Sequence, residues 1–320
     1  MILVTGASGF IGTALCVMLI TQQSSVRAVS RSGEVPGEVT EHVRLDLESS
    51  DDLDTLCAGV DTIVHLAGRA HILNDKSDDP VTAFNNANVH VVTKLAQAAI
   101  QQRVRRFIFL SSIGVIGSET SEGEEFSENS ICLPSQHYAV SKKNAERELI
   151  QLAKDGNMEL VIIRPPLVYA GGAPGNFRRL MSLVRSGIPL PLLSVDNRRS
   201  MIALENLIDF IQTCIRHPLA ANQTFVISDG KDLATPQIIQ LLADGMGRPH
   251  RLFAFPVSLI GIGFSVINRK TMYSQLCKSL VVSSTKARLL LGWTAPLSPE
   301  KALAAAGRDF VSRYDDNLGG

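Results

Sequence analysis

The sequence has no excess of charge of either sign, because its 31 Lys and Arg residues are matched by 31 Asp and Glu residues. This balance gives the chain as a whole no attraction to nucleic acid or to an anionic membrane. Any anion that the protein binds is therefore expected to be held by local groups, and no nucleic-acid partner is predicted.

Cysteine is scarce and scattered. The chain has no C-x-x-C pair and no metal-ligand spacing, so no metal site is expected. The cysteines are predicted to be small buried residues of a protein in a reducing compartment. They are Cys16, Cys57, Cys132, Cys214 and Cys277.

Long apolar runs are also missing, with one partial exception at residues 252–268. Pro256, Gly261 and Gly263 interrupt this run, which predicts a helix over a substrate pocket or an oligomer contact. Peripheral membrane association stays open, whereas an integral span is not expected. A first strand that begins at Ile2 leaves no room for a cleaved secretory segment, which predicts a cytoplasmic protein.

A glycine-rich turn lies within residues 1–15, between a short apolar run and an apolar pattern of helical period. Gly6, Gly9 and Gly12 allow the chain to turn tightly, to approach a pyrophosphate and to pack a helix against a sheet. The chain contains no G-x-x-x-x-G-K-[ST] motif for a nucleoside triphosphate. A turn without ligand is the alternative, but the strand before it and the helix after it favour a dinucleotide site.

The first half alternates strands and helices, which predicts an α/β fold with a Rossmann-type doubly wound parallel sheet. A smaller carboxyl-terminal α/β lobe is expected to bind the substrate. The predicted dinucleotide-binding domain comprises residues 1–169 and about 200–228, and the substrate domain comprises about 170–199 and 229–320. The predicted strands are residues 26–30, 43–47, 60–67, 106–112 and 160–164, with helices at about 80–102 and 138–154. Ligands of such sheets bind beyond the carboxyl ends of the strands.

Ser112, Tyr138 and Lys142 form the candidate catalytic group. Residues four apart share one face of a helix, so the Tyr138 phenol and the Lys142 ammonium can be neighbours. A nearby cation lowers the pKa of a phenol, which lets Tyr138 exchange a proton with a sugar hydroxyl. Ser112 would hold the same oxygen. An exposed Tyr beside a solvated Lys is the alternative interpretation of this pair.

Five ordered motifs carry a resemblance to extended short-chain dehydrogenases/reductases of the nucleotide-sugar epimerase, reductase and dehydratase group. They are TGASGFIG at residues 5–12, HLAG at 65–68, SSIGVIG at 111–117, YAVSK at 138–142 and RPPLVYAGG at 164–172. The resemblance implies a UDP-sugar substrate, surface polysaccharide synthesis and a homodimer formed through a helical face.

The resemblance also implies which residues bind cofactor and substrate. The cofactor residues are Gly6, Ser8, Gly9, Phe10, Ile11, Gly12, Ser30, Arg31, Asp46, Leu47, Leu66, Ala67, Gly68, Asn88, Tyr138, Lys142 and Pro165. The substrate residues are Ser112, Ile113, Asn176 and Arg199. Asn88 is expected to support the catalytic side chains, and Pro165 to lie against nicotinamide.

Two departures from the family pattern narrow the chemistry. Ile113 and Gly114 replace the acidic pair with which dehydratases eliminate water, so oxidation and reduction at C4 are expected instead of dehydration. Ser30 and Arg31 stand where a carboxylate would select NAD, which favours NADP slightly, although an Arg can also stack on adenine.

Three functions remain open from the sequence. The first is a UDP-sugar 4-epimerase that keeps and recycles its cofactor. The second is an NADPH-dependent 4-ketoreductase of a UDP-4-keto-6-deoxy-hexosamine. The third is a scaffold that senses the cofactor without turnover, and the intact Ser112, Tyr138 and Lys142 argue against it.

Overall fold

The computed structural model describes residues 1–31, 33–35, 37–50, 52–69, 79–266 and 270–316. Within this part of the chain, nine strands form a large and a small parallel sheet. The strands are β1 Ile2–Thr5, β2 Val26–Ser30, β3 Glu41–Arg44, β4 Thr62–His65, β5 Arg106–Leu110, β6 Glu159–Arg164, β7 Leu167–Tyr169, β8 Met201–Ala203 and β9 Gln223–Val226.

The helices of the described residues lie in the connections between these strands and, from α8 onward, after β9. They are α1 Phe10–Thr21, α2 Asp54–Cys57, α3 Pro80–Asn85, α4 Val91–Gln101, α5 His137–Asp155, α6 Gly175–Ser186, α7 Leu204–Arg216, α8 Thr235–Gly245, α9 Val257–Val266, α10 Lys270–Cys277, α11 Thr285–Leu291 and α12 Pro299–Asp316. None of the described helices is long and apolar enough to cross a membrane.

The large sheet has seven strands in the order β3-β2-β1-β4-β5-β6-β9, and each neighbouring pair is parallel. The strand order reverses between β1 and β4, which is where such sheets bind ligands. The predicted Rossmann-type fold is therefore confirmed. The segment at about 200–228, which the sequence analysis assigned to the dinucleotide-binding domain, contributes β9 to the sheet beside β6.

Successive residues of each strand point to opposite faces of the large sheet, so they contribute to two separate cores. Val4, Val64 and Ile108 face α1 and α7, whereas Leu3 and Ile63 face α4 and α5. A third core lies in the carboxyl-terminal part, where β7, β8, α6, α8 and α12 pack together.

Some element boundaries differ from prediction. The third strand ends at Arg44 instead of residue 47, because Asp46 turns the chain by accepting hydrogen bonds from Glu48 and Ser50. The helix predicted at 80–102 is divided by a π-helical turn at Asn86–His90. No sequence signal indicated the β7–β8 pair.

The cysteines are all free. Cys16, Cys57 and Cys214 are buried as predicted, but Cys132 and Cys277 are only partly buried. Burial raises the pKa of the Cys16 thiol to about 11 and that of Cys57 to about 12. Among the described residues, no group of His, Cys, Asp and Glu side chains has a metal-binding arrangement.

Candidate active site

The glycine turn after β1 leaves no room for side chains. Gly6 has φ +67°, and a Cβ there would lie 2.8 Å from the backbone nitrogen of Ala67. A Cβ on Gly12 would lie 2.1 Å from the carbonyl oxygen of Gly6. Only glycine allows the turn, the start of α1 and the end of β4 to come this close.

The start of α1 has the features of a phosphate site. Gly9 is the N-cap residue, no side chain caps the helix, and its first turn carries no acidic residue. The amide groups of this turn therefore favour an anion. Ser8 is exposed, Ile11 packs on the sheet core, and Phe10 packs on the carboxyl-terminal core. The cradle formed by the glycines fits the diphosphate of a dinucleotide.

The ends of β2 and β3 carry basic residues. The Ser30 hydroxyl is buried, where it contacts His42 Nε2 at 3.2 Å and accepts a hydrogen bond from the Gly33 amide. Arg31 is exposed, and its carbonyl accepts a hydrogen bond from Arg44 Nε at 3.3 Å. Two guanidinium groups thus belong to this edge of the sheet, where the sequence analysis identified one.

Two further predicted cofactor residues follow β3. Asp46 is exposed and Leu47 is buried in the core beneath the sheet.

Asn88 ties the end of β4 to α5. Its Oδ1 accepts a hydrogen bond from the Arg69 amide at 2.8 Å, and its Nδ2 donates to Ser141 Oγ at 2.9 Å. Asn88 is only 1% exposed and lies in the π-helical turn. Asn88 is thereby joined to α5, the helix that carries Tyr138 and Lys142. The chain directly after β4 consists of three predicted cofactor residues, Leu66, Ala67 and Gly68.

Lys142 points from α5 toward the carboxyl end of β5. Its Nζ donates to the carbonyl oxygen of Leu110 at 2.9 Å and lies 4.5 Å from the centre of the Phe109 ring. A Cβ on Gly68 would come within 3.4 Å of the same Nζ, which places the ammonium beside the predicted cofactor residues. Burial lowers the pKa of Lys142 to about 8.

Tyr138 begins the same helix and packs edge-on against Phe84. Burial raises the pKa of its phenol to about 12. In the protein chain alone, burial of Tyr138 therefore opposes the lowering of its pKa that the sequence analysis expected from Lys142. The neutral phenol and a readily deprotonated ammonium are the favoured forms until further charge enters the site.

Ser112 lies at the end of β5, against the first turn of α5. Its Oγ accepts a hydrogen bond from the Gly114 amide at 3.1 Å. A Cβ on Gly114 would touch both Ser112 Oγ and the Ala139 side chain at 3.4 Å. The Ile113 amide donates to the buried Pro165 carbonyl at 2.9 Å, while the Ile113 side chain packs in a small core with Val115.

Asn176 and Arg199, the predicted diphosphate ligands, contact the α10 segment. Asn176 Nδ2 donates to Gln275 Oε1 at 2.6 Å, and Arg199 Nη1 donates to the Lys278 carbonyl at 3.2 Å. Burial lowers the pKa of Arg199 to about 10. The structure thus joins both residues to residues 275–278 of the carboxyl-terminal part.

Comparison with known proteins identifies the chain. The model of the NAD dependent epimerase/dehydratase family matches residues 2–228. The chain belongs to this family. It is an enzyme of the extended short-chain dehydrogenase/reductase type, as the motifs predicted.

Three members of the wider group show how far the similarity extends. The chain is 36% identical to UDP-glucose 4-epimerase of Vibrio cholerae, over 97% of this chain and 95% of that protein. It is 26% identical to N-acetyl-alpha-D-glucosaminyl-diphospho-ditrans,octacis-undecaprenol 4-epimerase of Escherichia coli O157:H7, over 90% and 84%. A crystal structure of UDP-glucuronic acid 4-epimerase from Bacillus cereus in complex with NAD has the same fold, with a TM-score of 0.78, 20% identity and coverage of 98% and 96%.

One residue pair in this family member was missed by sequence reasoning. Glu146 and Arg164 form a buried ion pair, with Arg164 Nη2 donating to Glu146 Oε2 at 2.6 Å. Glu146 lies one turn after Lys142, and its charge raises the pKa of Lys142 against the effect of burial. The only sequence signal was the four-residue spacing of Lys142 and Glu146, which a solvated helix face also produces.

His65 is a buried histidine whose burial makes the stability of the fold depend on pH. Its Nδ1 lies 2.9 Å from Thr5 Oγ1, its Nε2 has no hydrogen-bond partner among the described residues, and burial lowers its pKa to about 3. The unfolded chain takes up this proton below pH 6.5, whereas the folded protein takes it up only near pH 3. Stability from this group is therefore present above pH 6.5 and falls as the pH decreases between these values.

We expect replacement of His65 by Gln to reduce this acid sensitivity. Between pH 6.5 and 4.5 the free energy of unfolding should fall by about 2–3 kcal/mol less than in the wild type. Urea denaturation at several pH values measures this difference. The exposed His250, replaced by Gln, is the matched control, because its ring is hydrated in both states. Parallel pH curves for His65→Gln and wild type would contradict the assignment.

Proposed function

We propose that the protein is a nucleotide-sugar 4-epimerase that acts on a UDP-hexose or UDP-N-acetylhexosamine with a bound nicotinamide cofactor. The supporting observation is the placement of Lys142 beside Gly68, with Tyr138 on the same helix and Ser112 on the strand end that faces it. The full-length similarity to a UDP-glucose 4-epimerase supports the same substrate class.

Each catalytic side chain has a distinct role in this proposal. Tyr138 Oη takes the proton of the C4 hydroxyl as the C4–H bond breaks, and Ser112 Oγ holds the resulting carbonyl oxygen by a hydrogen bond. A bound nicotinamide would supply the redox chemistry, as acceptor of a hydride from C4 and donor of that hydride to the opposite face of the sugar after the 4-keto intermediate has rotated. Tyr138 then gives the proton back to the oxygen, so the cycle needs no external oxidant or reductant.

Lys142 adjusts the acidity of Tyr138. A charged ammonium favours the phenolate, and Glu146 maintains that charge against burial. The Leu110 carbonyl holds the ammonium in position. Ile113 and Gly114 offer no acidic or basic side chain, which is consistent with a reaction that stops at C4 epimerisation without loss of water.

The cofactor is NAD or NADP. The family description names NAD, whereas Arg31 and Arg44 at the ends of β2 and β3 offer two guanidinium groups to a 2′-phosphate. We further propose that Asn176 and Arg199 bind the substrate diphosphate, that the predicted domain boundaries hold, and that the enzyme is a cytoplasmic homodimer in polysaccharide synthesis.

The deciding experiment combines product and cofactor analysis. Purified protein is incubated with UDP-glucose, UDP-galactose and their N-acetylated forms without added cofactor, and products are identified by NMR. We expect interconversion of C4 epimers and about one NAD released per chain on denaturation, since a recycled cofactor stays bound.

The other candidate functions give different results. An empty site, no epimer formation and NADPH consumption with a UDP-4-keto-6-deoxy-hexosamine would identify the 4-ketoreductase. Tight cofactor binding with no turnover of any sugar nucleotide would identify the scaffold. Either result would overturn the proposed epimerase.

A further inference from the structure

A group of large apolar side chains is exposed beside the carboxyl-terminal core. Six of them are between 37% and 59% exposed. They are Ile188, Leu193, Phe253, Phe255, Leu259 and Ile262, here called the apolar surface. Exposed apolar side chains that occur singly are ordinary, but a cluster of this kind marks an interaction site.

Backbone pairing joins the segment of Leu190 and Leu193 to the segment of Phe253. The Phe253 amide donates to the Leu190 carbonyl at 3.0 Å, and the Leu193 amide donates to the Phe253 carbonyl at 3.2 Å. The rings of Phe253 and Phe255 lie 6.4 Å apart. The segment around Ile188 and Leu193 therefore runs beside the segment that carries both phenylalanines.

The remaining two members lie on α9, which begins two residues after Phe255. Leu259 and Ile262 are three residues apart and share one face of the helix. The other side of α9 is anchored, because Ile260 is buried and Phe264 packs against Tyr273 of α10. The helix thus has one face on the protein and one apolar face toward solvent.

The segments that carry the apolar surface contain basic residues and no acidic ones. Residues 171–195 contain three Arg and no Asp or Glu, and residues 245–266 contain two Arg and no Asp or Glu. Arg178, Arg179, Arg248 and Arg251 are exposed. The nearest acidic residues in sequence are Asp196 and Asp244 at the ends of these segments, and Glu119 lies in the cavity beside α9. In a chain with no net charge, this is a strong local asymmetry.

We propose that the apolar surface docks on an anionic lipid bilayer. Apolar side chains that enter the headgroup region, flanked by Arg on a segment without carboxylates, are the combination that binds such a surface. Exposed phenylalanines on a segment that has Arg and no carboxylate match an anionic bilayer better than they match a sugar nucleotide or a second protein. The balanced overall charge is compatible with docking, because lipid headgroups act only on charges within a Debye length.

The apolar surface adjoins the expected substrate side of the enzyme. α9 packs on α10, whose Gln275 contacts Asn176, and both helices line a surface cavity of about 580 Å³. Docking would bring this cavity close to the bilayer. A sugar linked through a diphosphate to a lipid would then reach the same site as a soluble sugar nucleotide; this extension, unlike the docking itself, rests on the proposed function.

Vesicle flotation tests the docking. Full-length protein is mixed with vesicles of phosphatidylcholine alone or of phosphatidylcholine with phosphatidylglycerol. We expect about tenfold more protein on the anionic vesicles, and loss of this excess in high salt. The double variant Phe253→Ser/Phe255→Ser should lose binding, and Arg248→Gln/Arg251→Gln should lose the preference for phosphatidylglycerol.

The matched control is Ile150→Ser/Leu289→Ser, which removes two exposed apolar side chains from other helices and should still float. Equal flotation of all variants, or none by the wild type, would overturn the proposal. A wild-type dimer that becomes monomeric in the phenylalanine variant, without vesicle binding, would assign the surface to a second copy and also overturn it.

Soluble UDP-sugar turnover is measured for every variant. We expect unchanged rates, because none of these residues is part of the proposed catalytic or binding group. Vesicle binding without any sugar turnover in the wild type would refute the proposed epimerase and leave the docking intact, so the two failures are distinguishable.

Discussion

Replacement of Tyr138 by Phe is expected to lower kcat by about a thousandfold, since general acid–base groups contribute 10²–10⁴. The substitution removes one oxygen and keeps the ring that packs against Phe84. The folded structure and the bound cofactor should therefore be retained. Steady-state kinetics with the UDP-sugar substrate, together with cofactor content after purification, measures both effects.

Tyr169→Phe is the matched control. The Tyr169 hydroxyl donates to Asp229 Oδ2 at 2.7 Å within the carboxyl-terminal core, and Tyr169 is not part of the proposed catalytic group. Its loss should reduce the free energy of unfolding by about 2 kcal/mol and leave kcat unchanged. If Tyr138→Phe kept kcat within tenfold of the wild type, Tyr138 would not be the proton carrier.

Replacement of Gly12 by Ala should abolish cofactor retention. The added Cβ would lie 2.1 Å from the Gly6 carbonyl oxygen and 2.8 Å from its carbon, and both atoms are backbone. The glycine turn must therefore open away from α1, which moves the amides that face the phosphates. We expect a loss of about 3 kcal/mol in the free energy of unfolding, as for an overpacked core, and no nucleotide after purification.

Gly263→Ala separates this steric effect from the general effect of the substitution. Gly263 lies within α9, and a Cβ there meets no atom within 4 Å. Alanine in that helix should be neutral or stabilising by about 0.5–1 kcal/mol. Thermal unfolding and nucleotide content, measured for both variants, separate the clash at Gly12 from the general effect of a glycine-to-alanine change. Normal nucleotide content in Gly12→Ala would show that the close packing of this turn is dispensable for binding.

The sequence determined the first half of the fold because its signals are local. The strands β1, β2, β4, β5 and β6 are short apolar runs, and the structure confirms the sheet that they form. Their carboxyl ends place Gly6, Ser112 and Pro165 near one another through a single rule of parallel sheets. The motifs also indicated the family correctly, since five patterns in fixed order are a specific signature.

Contacts between distant residues were decided by tertiary structure alone. The π-helical turn that presents Asn88 to Ser141 leaves the apolar pattern of the helix almost unchanged. Asp229 is buried among Tyr169, Asn206 and the Ala203 amide, which come from separate elements. No spacing in the sequence predicts such a group, because packing of separate elements brings the partners together.

The acidity of the site shows the same division. The sequence placed Tyr138 and Lys142 four residues apart and so predicted their mutual influence. Burial, which only the folded chain produces, raises the pKa of Tyr138 to about 12 and lowers that of Lys142 to about 8. Residue identity and helical spacing are properties of the local sequence, whereas the desolvation of a group depends on all the residues that pack around it. For Tyr138 and Lys142 the sequence alone determined their spacing on one helix, and the tertiary structure decided how readily each one holds its proton.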